Sequence, residues 1–197
     1  MNVILDRGHG VDTFGKESPD GLYKEWRWCN EFCKDLKDLL ETNGFNVYFI
    51  EEDYEYDMPL SDRSYLANEY YNMHKDSVLV SVHTNAYGNS WNDASGFRVY
   101  AYSKESKGYA LGKMYLKTAD ELLSPYKIKV QMEPNVEPSF YILRKTKVPA
   151  LLTENLFHTN KKDLSFIQSY KGRDTLLQVH LKALIEYKNA INNEVMS

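Results

Sequence analysis

Residues 77–83 read Ser-Val-Leu-Val-Ser-Val-His, a β-branched run that ends on an ionisable side chain. Such residues favour the pleated strand. A run that is apolar at nearly every position belongs to a strand covered on both faces, as in parallel sheets. Working outward, residues 2–6 (Asn-Val-Ile-Leu-Asp) have the same character and stop at Gly8-His9-Gly10, a turn signal. Residues 45–50, 96–102, 139–144 and 150–154 supply four further strand candidates, the last two separated by a Lys-Thr-Lys-Val-Pro turn.

Between these strands the apolar period changes to that of a helix. From Lys24 the run is Trp26, Cys29, Phe32-Cys33, Leu36 and Leu39-Leu40, and Asn43-Gly44 gives the stop. Residues 61–73, with Ser61 as the expected cap, 107–123, 162–168 and 175–191 complete the predicted helices. Strands alternating with helices predict an α/β fold, a three-layer αβα arrangement whose central, twisted sheet of about six strands is mostly parallel. No repeat, low-complexity tract or linker interrupts the pattern, so one domain over 1–197 is expected.

Composition narrows the function. With 43% hydrophobic and 26% charged residues, a net charge of −4 and a pI near 5.8, the chain has no basic run to neutralise phosphates, and nucleic acid is not the expected partner. No stretch approaches the roughly 18 apolar residues of a membrane span. The first residues lack the basic and apolar regions of an export signal. Without an export signal the chain is expected in the cytoplasm, or outside it if it is part of a longer secreted protein. Cys29 and Cys33, four apart in a helical pattern, read as small apolar residues on a buried face. Oligomeric state is open at this level.

The reactive candidates lie far apart in sequence and close together in the predicted topology. In open α/β sheets ligands gather beyond the carboxyl ends of the strands. His9 follows the first strand, His83 ends the third, Glu154 ends the last, and Glu25 opens the first helix. Two imidazoles and a carboxylate make a donor set for a catalytic zinc ion. A further carboxylate, for which Glu154 is suited, can serve as general base. Each has an ordinary reading when taken alone. His83 fits a satisfied core histidine, Glu25 a first-turn carboxylate favoured by the helix dipole, and Glu154 a paired carboxylate in an apolar setting. His9, between two glycines, least resembles a core residue. His158 is the rival substrate contact, His74 sits at a helix end, and His180 is expected on a helix surface or edge.

The segments Ile4-Leu5-Asp6-Arg7-Gly8-His9-Gly10, Gly21-Leu22-Tyr23-Lys24-Glu25, Ser81-Val82-His83-Thr84-Asn85 and Val148-Pro149-Ala150-Leu151-Leu152-Thr153-Glu154-Asn155 together resemble the zinc-dependent N-acetylmuramoyl-L-alanine amidases of the amidase-3 family. Lesser features occur in the same order: Asp62-Arg63, Ala67-Asn68, Gly96-Phe97-Arg98-Val99-Tyr100, Leu143-Arg144 and Leu156-Phe157-His158-Thr159-Asn160. The resemblance covers nearly the whole chain. It implies one zinc ion per chain on His9, Glu25 and His83, with Glu154 catalytic. It also implies peptidoglycan or a muropeptide as substrate, cut at the amide between the lactyl group of N-acetylmuramic acid and L-alanine. Arg144, whose guanidinium can pair two-pronged with a carboxylate, and Asn85 are the substrate-binding candidates. Arg7 stands where the family usually has proline, which loosens the turn and leaves the ligand intact.

Two other functions share these features. A carboxypeptidase-like zinc peptidase acting on stem peptides would favour a tight His-x-x-Glu pair, whereas a long loop separates His9 from Glu25. A non-catalytic wall-binding module would have no need of all four reactive positions.

Overall fold

The computed structural model describes residues 1–50 and 56–196. Its sheet has the strand order β2-β1-β3-β6-β4-β5. The strands are β1 (Asn2–Arg7), β2 (Asn46–Phe49), β3 (Ser77–Asn85), β4 (Arg98–Ala101), β5 (Asn135–Val136) and β6 (Ala150–Phe157). β2, β1, β3 and β6 run parallel; β4 is antiparallel to β6 and parallel to β5. The helices are α1 (Glu25–Thr42), α2 (Leu60–Met73), α3 (Lys107–Leu123), α4 (Tyr141–Lys145), α5 (Lys161–Gln168) and α6 (Tyr170–Met196).

The period of two along each strand sorts the core into two halves. Val3, Leu5, Val78, Val80, Val82 and Leu151 face the inner residues of α1, α3 and α6, among them Phe32, Leu36, Tyr115 and Leu184. Ile4, Leu79, Ala150 and Leu152 face the other way, toward Ala67 of α2 and Ile142-Leu143 of α4. Burial on both faces is why these strands read as continuous apolar runs, and it yields the predicted αβα layering. Cys29 and Cys33 are free, buried members of the α1 inner face.

Three local expectations change. Residues 139–144 are not a strand: Tyr141–Lys145 is a short helix, and β5 comes earlier, at Asn135–Val136. The adjacent pair Ile142-Leu143 explains the difference. A strand would send them to opposite faces, whereas one helical turn buries both in the same cluster. Ser61 does not cap α2, which starts at Leu60 after Pro59; the Ser61 hydroxyl instead donates to Asp62 Oδ1. His180 is on no surface. It is completely buried, with rings of Phe32 and Tyr115 at 5.3 and 5.1 Å.

Burial pushes the His180 imidazole down from 6.5 to about 3, so it is neutral in the folded protein. Between these values the unfolded chain takes up a proton that the folded chain refuses, and stability falls as pH falls. The His180 contribution is complete above pH 6.5 and fades toward pH 3. From pH 7 to pH 5 it amounts to about 2 kcal/mol. Urea unfolding at the two pH values is expected to show that loss in the wild type, with a smaller slope in His180→Gln; equal slopes would contradict it.

Candidate hydrolytic metal site

The site is assembled where β1, β3 and β6 meet the start of α1. Parallel pairing places His83 of β3 opposite Glu154 of β6. The alternation that buries Leu79 and Leu152 on the α2/α4 face puts His83 and Glu154 on that face too. β6 runs three residues beyond Glu154, so this residue lies inside the strand rather than at its end. The chain leaves β1 through Gly8, where a Cβ would come within 2.5 Å of the His83 ring; only glycine lets that ring pack so close. His9 follows at φ 65°, a left-handed conformation rare outside glycine and a strain typical of functional sites. At Gly10 a Cβ would meet the Asp57 backbone nitrogen at 2.1 Å.

Glu25 is the buried centre of the cluster, with 2% of its surface exposed. Its Oε1 lies 3.2 Å from His83 Nδ1 and accepts from Thr84 N at 3.0 Å, and its Oε2 lies 3.5 Å from His9 Nε2. One donor atom from each of His9, Glu25 and His83 falls within 4.8 Å of the others. Burial raises the Glu25 carboxyl, but the His83 hydrogen bond and the two imidazoles outweigh it and hold the group below its usual range. Burial likewise lowers His9. Burial opposes the charged form of His83, and Glu25 overcomes it, so its net shift is upward. Two half-buried imidazoles facing one buried carboxylate form a donor set able to hold a metal ion.

Glu154 is not part of that donor set. Its Oε2 is buried and has no hydrogen-bond partner among the described residues. Burial pushes its carboxyl up to about 8; His83 opposes the shift and the Glu25 carboxylate adds to it. A carboxyl poised near neutrality suits proton transfer. A cleft of about 410 Å³ opens on the face that bears His9, His83 and Glu154, with Leu60, Phe140, Tyr141 and Ile142 also lining it. A larger cleft of about 750 Å³, around Trp91, Tyr126 and Lys161, holds none of the predicted site residues.

The remaining candidates separate clearly. Arg144 lies exposed on α4 with its guanidinium 5.6 Å from the centre of the Tyr141 ring, and it does not line the cleft. Asn85 is half-buried two residues beyond His83, its Oδ1 accepting from Ala86 N. His158, just beyond β6, is buried; its Nδ1 pairs with the Thr84 hydroxyl at 3.0 Å, its Nε2 has no hydrogen-bond partner among the described residues, and it is absent from the cleft lining. His74 ends α2 against Tyr70.

One set of supporting residues escaped the sequence. Arg63 Nη1 donates to Asp6 Oδ1 at 2.8 Å and also to the Arg7 carbonyl, and Nη2 donates to Asp57 Oδ1 at 2.8 Å. Asp57 Oδ2 in turn lies 3.8 Å from His9 Nδ1 and accepts from Thr13 Oγ1. Asp62-Arg63 was visible only as a minor family motif, because a helix-start arginine alone gives no hint of a buried partner 57 residues away.

The family model described as N-acetylmuramoyl-L-alanine amidase matches residues 3–186. The endolysin of Bacillus phage SPP1 is 30% identical over 190 residues, covering 95% of this chain and 66% of its own length. A probable cell wall amidase, LytH of Staphylococcus saprophyticus, is 29% identical, with 94% and 57% covered. The chain therefore spans about three-fifths of the length of these curated relatives. The crystal structure of an N-acetylmuramoyl-L-alanine amidase from Clostridium difficile 630 superposes with a TM-score of 0.82 at 27% identity, covering 95% of this chain and 96% of that one.

Replacing Arg63 with alanine leaves the buried Asp6 carboxylate without its cation and the loop around His9 without its brace. The expected loss of stability is about 3–5 kcal/mol, read from denaturant midpoints. A change below about 1 kcal/mol would show that the network supports little.

Proposed function

The chain belongs to the amidase-3 family of N-acetylmuramoyl-L-alanine amidases, and on that premise we propose that it cleaves peptidoglycan as a zinc-dependent amidase. The bond is the amide between the lactyl group of N-acetylmuramic acid and the L-alanine of the stem peptide. The observation that carries this reading is the convergence of His9, Glu25 and His83 beside an unpartnered, buried Glu154 oxygen.

In this reading His9, Glu25 and His83 hold the zinc ion. Zinc supplies Lewis acidity toward the scissile carbonyl and makes water a better nucleophile at neutral pH. Glu154 takes the proton of the attacking water as oxygen adds to the lactyl carbonyl carbon. It then gives that proton to the L-alanine nitrogen as the C–N bond breaks, so that a carboxylic acid and a free amine leave. Leu60, Phe140 and Tyr141 give one side of the cleft a mainly apolar lining against which the substrate can pack. Arg144, beside Tyr141, is assigned to a substrate carboxylate. Asn85 is assigned a substrate-facing amide. The phage relative is an endolysin, which supports a lytic setting.

Digestion of purified peptidoglycan is expected to yield muramic acid with a free lactyl carboxylate and peptides with a new amino-terminal L-alanine, seen by mass spectrometry. Chelation is expected to stop the release and zinc to restore it. Glu154→Gln is expected to lower kcat by about 10²–10⁴-fold with zinc content unchanged. Cuts within the stem peptide, or trimming from its carboxyl end, would replace this reading with that of a peptidase.

A further inference from the structure

Beyond Glu154, β6 turns a second polar side chain toward the opposite layer. Asn155 is fully buried, and its Nδ2 donates to the backbone carbonyl of His83 at 3.0 Å and to Thr153 Oγ1 at 3.1 Å. This bond falls where the β3–β6 register shifts, between His83 and Asn85, and where Leu156 takes a left-handed φ of 68°. At an irregularity of this kind the ladder is broken locally, and it resumes beyond, where Asn85 pairs with Phe157 and accepts from His158 N at 2.8 Å. Across the break a side-chain amide adds a tie, from one residue beyond Glu154 to the backbone of His83.

The amide is itself held. His180 Nε2 of α6 lies 3.1 Å from Asn155 Oδ1, and His180 Nδ1 lies 3.3 Å from the Tyr115 hydroxyl of α3. All three residues are completely buried. Because Asn155 Nδ2 is spent as a donor, its Oδ1 must accept. That fixes the proton on His180 Nε2 and leaves Nδ1 to accept from Tyr115. The donors therefore run in one direction, from the Tyr115 hydroxyl to the His180 imidazole, to the Asn155 amide, to the His83 carbonyl. A purely apolar packing of α3 and α6 on the sheet would need none of these groups, and burying them is costly unless every one is paired.

We propose that Tyr115, His180 and Asn155 form a positioning relay that locks β6 to β3 from behind and so sets the separation of His83 from Glu154. None of the three reaches the cleft, so they are positioning residues rather than catalytic ones. The role in catalysis rests on the amidase reading; the role in metal binding does not. Supporting groups outside the ligand shell commonly change metal affinity or activity by about 10–100-fold when lost.

The test compares His180→Phe, which keeps a ring and loses both hydrogen bonds, with His180→Gln, whose amide nitrogen can still donate to Asn155. Zinc affinity is measured by chelator competition, and kcat and KM on a soluble muropeptide. His180→Phe is expected to weaken zinc binding by about 10-fold or more and to lower kcat by a similar factor with KM little changed. His180→Gln is expected to recover most of both. A folded His180→Phe with wild-type zinc affinity and kcat would overturn the relay, as would a His180→Gln no better than His180→Phe. Should His180→Phe fail to fold, Asn155→Asp keeps the shape and the acceptor and loses the donor to the His83 carbonyl. Wild-type zinc affinity in that variant would overturn the proposal equally. A wild-type protein that binds zinc yet releases no muramic-acid product would remove the amidase reading and leave the relay to be judged on zinc affinity alone.

Discussion

The pairing of β3 with β6 sets the terms for the whole reactive rim, because it puts His83 opposite Glu154 on the same face of the sheet. The side-chain period along a strand is two, so a slip of one residue would turn Glu154 to the far side and bring Asn155 into its place. The apolar residues before these positions forbid the slip. Val80, Val82 and Leu151 belong to the α1/α3/α6 half of the core, and Leu79 and Leu152 to the other. Register, burial and chemistry are thus fixed by one alternation.

The price of gathering charge at that rim is met by local pairing. Glu25 is buried but sits between two imidazoles and a backbone N–H. Arg63 is buried but divides its donors among Asp6, Asp57 and the Arg7 carbonyl. His9 is held in a left-handed turn between two glycines that leave no room for a side chain. Glu154 keeps one buried oxygen unpaired, as His158 does its Nε2, and a buried polar atom without a partner is the feature of such a network that calls for an explanation.

Much of this was legible in the sequence. The αβα layering followed from apolar runs alternating with helical periods, and α3 was read with its observed bounds at Lys107–Leu123. His9 announced itself by its glycine turn; His83, expected at the end of a strand that runs on to Asn85, reads equally well alone as a core histidine. Glu25 did not announce itself, since a first-turn glutamate is favoured by the helix dipole whether or not it has a role. Where the structure departs from the local pattern the cause is shared: the states of residues 139–144 and of His180 depend on what packs against them, α2 and β6 in one case, Tyr115 and Asn155 in the other. Partners distant in sequence leave no local mark.

The most direct test of the account is X-ray absorption spectroscopy of the zinc-loaded protein. The site described here predicts one zinc ion per chain coordinated by two imidazole nitrogens and carboxylate or water oxygen at about 2.0–2.2 Å. It also predicts that the imidazole signal is reduced in His9→Ala and His83→Ala. Zinc–sulfur scattering at about 2.3 Å, which would place the metal on Cys29 and Cys33, or a spectrum indifferent to both histidines, would contradict it.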